Sequence, residues 1–198
     1  CTLLAPNDRM KILDIGAGTG NATLRLLQAG AKVTALDLSL VMLRMLRTKC
    51  SGHAERLKVA NREGSDLSPR ASGTFDAVNV HLVLFSARRP RPMLAEALRV
   101  LRPGGLLVIT EPNKTFDMDV QLAAAEAYLR EAGSLDTLRE PWELVKKVNL
   151  AFRTALNEGW RAETVERELR YAGWDDITTS SAYGEHCTTI RAIKPEQS

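Results

Sequence analysis

One short run decides most of what this chain can fold into: Ile12-Leu13-Asp14-Ile15-Gly16-Ala17-Gly18-Thr19-Gly20-Asn21. Apolar residues lead into Asp14, three glycines follow at alternate positions, and Asn21-Ala22-Thr23-Leu24-Arg25-Leu26-Leu27 then reads as a helix. Strand, glycine turn and helix in succession is how an α/β protein brings its backbone up against a nucleotide. Glycine serves there because a side chain would block the ligand or forbid the turn angles. The helix start adds unpaired N–H groups and a positive dipole end for an anionic group.

The spacing of the glycines separates two cofactors. A dinucleotide fingerprint reads G-x-G-x-x-G or A, which would put its third small residue at Asn21. In this chain the third glycine comes one position earlier, at Gly20, and an acid stands two residues before the first glycine. The run resembles the first motif of class I S-adenosylmethionine-dependent methyltransferases. Phe75-Asp76-Ala77-Val78 and Leu101-Arg102-Pro103-Gly104-Gly105-Leu106-Leu107-Val108-Ile109 supply two further markers of that family, in the same order and spacing. The resemblance runs from Lys11 to Lys194, and its style is closest to the menaquinone-type and small-molecule group.

Strand patterns fall at 11–15, 32–37, 56–63, 75–80, 106–111, 177–183 and 187–193, and helical patterns at 22–28, 40–49, 93–101, 118–131, 142–156 and 163–171. This alternation predicts an α/β, doubly wound, mostly parallel sheet. The short Gly184-Glu185-His186 link makes the last two strands a hairpin, so the closing strand is antiparallel. The resemblance implies the same seven-stranded Rossmann-like sheet. Residues 1–198 are read as a single domain, with 113–159 a helical insertion on the substrate side.

Composition narrows the partners. The net charge of +3 is mild, its basic residues are scattered, and Arg88-Arg89-Pro90-Arg91 has no interleaved aromatics, which argues against nucleic acid. Cys1, Cys50 and Cys187 are odd in number and far apart, so neither a disulfide framework nor a zinc site is expected. Reduced thiols, no membrane-length apolar run and a first strand starting almost at once point to a cytoplasmic protein with no membrane partner.

The resemblance places Asp14 at the cofactor's amino-acid end, with the backbone of Gly16, Ala17, Gly18 and Gly20 facing its methionine portion. Asp37, closing the second strand, is placed to accept from both ribose hydroxyls at roughly 1.5–3 kcal/mol per charge-assisted bond. Its other reading is a helix N-terminal acid, and the same geometry in a dinucleotide enzyme would also bind ribose, so Asp37 does not discriminate by itself. Leu38 packs on an adenine face or in the core. Asp66 and Leu67 match the family's adenine-edge position, Asp66 being equally readable as a turn residue.

Methyl transfer needs a nucleophile held in line behind an already activated methyl, and such orientation supplies roughly 7–11 kcal/mol of the barrier. A base is optional. His81, ending the fourth strand beside the expected sulfonium, borders the cofactor and is the first candidate base, since imidazole titrates near neutrality. It could instead be a hydrogen-bonded wall. Glu111, ending the fifth strand, is the second base, and Asn113 is expected to orient the acceptor; both could simply anchor loops. Trp142, following Pro141 at a helix start, is the chosen acceptor contact among the insertion's apolar residues. No metal site is expected.

The resulting reading is a metal-independent methyltransferase moving the methyl of S-adenosylmethionine to an O, N or C atom of a small molecule. Its rivals are a catalytically idle S-adenosylmethionine-binding accessory module and a NAD(P)-dependent oxidoreductase. Family members often carry N-terminal helices over the cofactor, whereas only about ten residues precede the first strand. Two expectations follow: in a complete chain the site is open or a homodimer mate or partner covers it, and in a fragment the covering segment lies outside residues 1–198.

Overall fold

The computed structural model describes residues 2–68, 70–174 and 176–196. Its centre is β1 (Lys11–Ile15), in which every residue after Lys11 is buried. A strand of continuous apolar residues has both faces covered. Ile12 packs on one side with Leu26, Leu27, Val33, Leu43 and Leu46. Leu13 and Ile15 pack on the other with Val78, Val80, Met93, Val165 and Trp174. Side chains of successive strand residues point to opposite faces, so one five-residue strand joins two cores.

Around it lie β2 (Lys32–Asp37), β3 (Leu57–Asn61), β4 (Phe75–His81), β5 (Leu101–Pro112), β6 (Ile177–Ala182) and β7 (Cys187–Ile193), in the order β3-β2-β1-β4-β5-β7-β6. Strands β1 to β5 are mutually parallel, and β7 runs antiparallel to both β5 and β6. Helices α1 (Asn21–Gln28) and α2 (Leu40–Lys49) supply the first core; α3 (Pro90–Val100) and α7 (Ala162–Tyr171) supply the second. The expected sheet is the one observed.

Two expectations shift. The fifth strand is expected to begin at residue 106, yet β5 starts at Leu101 and includes Pro103-Gly104-Gly105. Phe75 pairs with Leu101 while Ala77 pairs with Leu106, so the pairing register shifts there. The helix expected over 142–156 is divided at Phe152 into α5 (Arg139–Ala151) and α6 (Arg153–Glu158). With α4 (Met118–Glu131) these helices occupy the region from 113 to 159, and Phe152 meets Phe85 edge-on.

The crossover from β3 to β4 has no helix among its described residues, and α3 holds it instead. Leu67 N–H donates to Glu96 Oε2 (2.7 Å), and the Arg99 guanidinium donates to the carbonyls of Leu67 (3.1 Å) and Arg70 (2.9 Å). Glu96 and Arg99 pair with each other at 2.6 Å. Glu96→Ala leaves the Leu67 N–H without its acceptor and the guanidinium without its carboxylate, at a cost of about 1–3 kcal/mol. Limited trypsin digestion of that variant should cut faster at Arg70 than in the parent; an unchanged cleavage rate and an unchanged urea midpoint would show that the crossover holds itself.

Candidate active site

Strand order reverses between β1 and β4, and in open α/β sheets ligands bind beyond the carboxyl ends at such a switch point. Ile15 pairs with Leu36 on one side and Val80 on the other. Gly16, Asp37 and His81 therefore leave the sheet at one level, with Asp37 and His81 two strand spacings, about 10 Å, apart.

Gly16 has φ +69°, and a Cβ there would lie 2.3 Å from Val83 Cγ2. Gly20, at φ +86° ahead of α1, would drive a Cβ to 2.8 Å from Leu46 Cγ, so it lets α1 and α2 close together. Gly18 faces open space, and its N–H donates to Asp37 Oδ2 (2.8 Å). Asp37 Oδ1 accepts from Ser39 N–H (2.8 Å). Each carboxylate oxygen thus has one protein donor and keeps lone-pair capacity for another. Ala17 is buried and donates its N–H to the Leu36 carbonyl (2.8 Å), tying the turn to β2.

Asp37, Gly16 and Leu38 line a recess of about 180 Å³ together with Glu63, Gly64 and Val83. Leu38 is exposed, not core. Ser65, next in the chain after Gly64, has its Oγ buried without a hydrogen-bond partner.

Several expected contacts lie elsewhere. Asp14 is 1% exposed; Thr23 Oγ1 donates to its Oδ2 (2.6 Å) and Asn79 Nδ2 to its Oδ1 (2.8 Å). Burial pushes its carboxyl up, partly offset by those two donors. It braces the turn from below rather than opening onto the cleft. Leu67 is fully buried in the α3-side core, its N–H taken by Glu96. Asp66 is exposed, accepts from Ser68 N–H (3.1 Å) and is held below the ordinary range by that turn. The second acid lining the recess, beside Asp37, is Glu63, two residues beyond the end of β3 at a position expected within the strand.

Trp142 is buried, and its Nε1 donates to Glu126 Oε2 (3.0 Å), joining α5 to α4. Asn113 Nδ2 donates to the Glu185 carbonyl (2.7 Å), and its Oδ1 accepts from Thr115 N–H (3.0 Å) and Oγ1 (2.7 Å). Its polar atoms hold the β6–β7 hairpin instead of facing an acceptor.

Glu111 is overturned as a base by burial. It is 0% exposed, and its carboxylate accepts from the backbone N–H groups of Val83 (3.0 Å), Leu84 (2.8 Å) and Phe85 (3.2 Å). It clamps the turn that carries Val83 against Gly16. Burial outweighs the three donors and raises its pKa to about 7.

His81 remains at the sheet edge, partly buried, its Nε2 2.8 Å from Tyr183 Oη. Burial pushes the imidazole below its ordinary value, so it is neutral at physiological pH. Tyr183 was missed, because nothing local in sequence shows that a hairpin tip returns to β4. Cys50 and Cys187 are buried free thiols, and burial lifts Cys187 to about 11. Among the described residues no three His, Cys, Asp or Glu side chains converge on a metal position.

A methyltransferase-domain family model matches residues 13–109. The demethylmenaquinone methyltransferase of Clavibacter sepedonicus is 32% identical, the match covering 97% of this chain and 76% of the relative. This chain belongs to the class I S-adenosylmethionine-dependent methyltransferases of the menaquinone type. The demethylmenaquinone methyltransferase of Renibacterium salmoninarum is 38% identical over 93% of this methyltransferase and 74% of its own length. The fold is shared with a SAM-dependent methyltransferase from Aquifex aeolicus at a TM-score of 0.67, with 18% identity over 98% of this chain and 86% of that one. The methyltransferase is thus an enzyme that transfers the methyl of S-adenosylmethionine to a small molecule. Neither an idle binding module nor a nicotinamide oxidoreductase is favoured.

A carboxyl whose folded pKa is raised binds its proton more tightly folded than unfolded. Its contribution to stability is full below the unfolded value of 4.5 and is lost as pH rises through about 7. Against Glu111→Gln, the parent should lose on the order of 3 kcal/mol of relative stability between pH 4.5 and pH 8 in urea melts. Parallel pH curves for the two proteins would contradict the raised pKa.

Proposed function

We propose that this methyltransferase delivers its methyl group to a ring carbon of a hydroquinone-type acceptor, with His81 as general base and without a metal. The acceptor class is carried by the relatives, whose printed names specify demethylmenaquinone and whose likeness spans nearly the whole chain. Chemistry selects the reduced ring. The methyl arrives as an electrophile, and a hydroquinone is electron-rich where a quinone is electron-poor.

The recess fits the cofactor: Asp37 retains acceptor capacity for ribose hydroxyls, Gly18 opens onto free space, and Ser65 Oγ lacks a partner. Gly16, Ala17 and Gly18 would hold the methionine end, Leu38 one adenine face and Glu63 the adenine edge. When bound, S-adenosylmethionine supplies the electrophilic methyl, which leaves sulfur for the acceptor carbon and yields S-adenosylhomocysteine. The neutral His81 Nε2 takes the proton of a ring hydroxyl, and the resulting oxyanion raises electron density at the adjacent carbon. That carbon then releases its own proton to solvent, restoring the aromatic ring, and His81 returns its proton to the ring oxygen.

Residues 1–198 act in this reading as one domain in the cytoplasm, with 113–159 on the acceptor side. No helix among the described residues is long and apolar enough to cross a membrane. A homodimer mate or partner over the recess is supported by an outward stripe beside it: Leu38, Val41, Met42 and Met45 are all exposed, spaced i, i+3, i+4 and i+7.

Methyl-labelled S-adenosylmethionine incubated with a short-chain demethylmenaquinol should give the methylated ring, and the oxidised quinone should give none. Product from neither, in a sample that binds S-adenosylhomocysteine, would refute the acceptor. Asp37→Ala should weaken S-adenosylhomocysteine binding by about ten- to a hundredfold in calorimetry while circular dichroism stays unchanged. His81→Gln should lower kcat by roughly 10²–10⁴.

A further inference from the structure

Tyr183 stands at the tip of the β6–β7 hairpin in a conformation that a bulky residue rarely keeps. Its φ is +52°, and Gly184 (+63°) and Glu185 (+71°) continue the left-handed turn. Strain of this kind persists only where the surroundings enforce it, and it collects at functional sites. The enforcement is visible. Asn113 donates its side-chain amide to the Glu185 carbonyl (2.7 Å) and its backbone N–H to the His186 carbonyl (3.2 Å). The residues leaving β5 therefore pull the hairpin tip down to the carboxyl edge of the sheet, where Pro112 pairs with Cys187.

There Tyr183 meets His81. Their ring centroids are 5.8 Å apart at 51°, with Oη and Nε2 at 2.8 Å. The pair borders a cleft of about 730 Å³ between α1 and the β4–β5–β7 face. Other polar groups on that floor are already matched: Thr110 and Thr189 hydroxyls share a hydrogen bond (2.9 Å), and Asn79 donates to Asp14. The histidine–tyrosine pair is the hydrogen-bonding couple that an entering ring would meet.

We propose that Tyr183 is a positioning residue: its hydroxyl donates to His81 Nε2, fixes the tautomer with the lone pair on that nitrogen, and yields the place to the acceptor's hydroxyl. The proposal rests on the reading of His81 as base and extends the acceptor site to the terminal hairpin. Tyr183 keeps its own proton throughout: an ordinary phenol is protonated at neutral pH, and partial desolvation shifts this one further up. Only its hydrogen bond is exchanged, and the proton that moves passes from the acceptor oxygen to Nε2. The charged and titratable surroundings of the pair are few. Arg25 lines the cleft from α1, Cys187 acts on Tyr183 from β7, Asp14 sits behind Asn79, and Glu111 on β5 is spent on the 83–85 turn.

A donor on Nε2 favours the neutral imidazole. Tyr183→Phe should therefore raise the His81 pKa by roughly half a unit or more, read by NMR titration of the chain with no acceptor present. The acid limb of kcat/KM with short-chain demethylmenaquinol should move up by the same amount, and kcat should fall about tenfold. S-adenosylhomocysteine affinity should stay at the parent value. An unmoved histidine titration with an unmoved acid limb overturns the role of Tyr183, even where His81→Gln abolishes turnover. A silent His81→Gln overturns the base, and the positioning role with it.

Discussion

The buried carboxylate of Asp14 is the fixed point on which the site depends. Its two oxygens reach Thr23 on α1 and Asn79 on β4, so one side chain joins the central strand to the helix after the glycine turn and to the strand across the switch point. A group this buried is tolerable because both oxygens are matched, and removing either donor would leave it unsatisfied in a low-dielectric setting. The glycine turn above it is then confined from beneath, from Val83 and from Leu46, while Gly18 stays open.

A second carboxylate does similar work two strands away, on β5. Glu111 could have been a base by position, yet its three backbone donors make it the anchor for residues 83–85. In the proposed reaction the base is His81, whose neutral form is favoured by burial and which has one hydroxyl partner. The two acids at strand ends thus differ in role because of accessibility: Asp37 retains exposure and spare lone pairs, and Glu111 has no exposure at all.

The fold was largely legible because its signals are local and periodic. The Asp14–Gly20 turn, the apolar run Leu106–Ile109 and the Gly184-Glu185-His186 link each determine their own conformation within a few residues. The position of Asp37 was legible for the same reason, since it ends a strand next to the glycine turn. What failed were side chains whose direction depends on distant partners. Trp142 turns to Glu126, Asn113 to the hairpin and Leu67 to the α3-side core, and no local pattern specifies those choices. Tyr183 was invisible for the converse reason: its partner lies 102 residues away in the chain. The division at Phe152 escaped because helical periodicity continues across it.

The turn at 83–85 has another side. Val83 fills the space that makes Gly16 irreplaceable, while Phe85 packs edge-on with Phe152, and a Cβ on Gly159 would fall 1.7 Å from the Phe85 carbonyl. Three consecutive residues are thus a shared wall between the cofactor recess and the helical region. On the proposed reading, with the cofactor in that recess and the acceptor beside the helices, redesigning Phe85, Phe152 or Gly159 would change acceptor preference and cofactor affinity together. Selectivity in this scaffold is more safely retuned from the hairpin, which touches the cleft without leaning on the glycine turn.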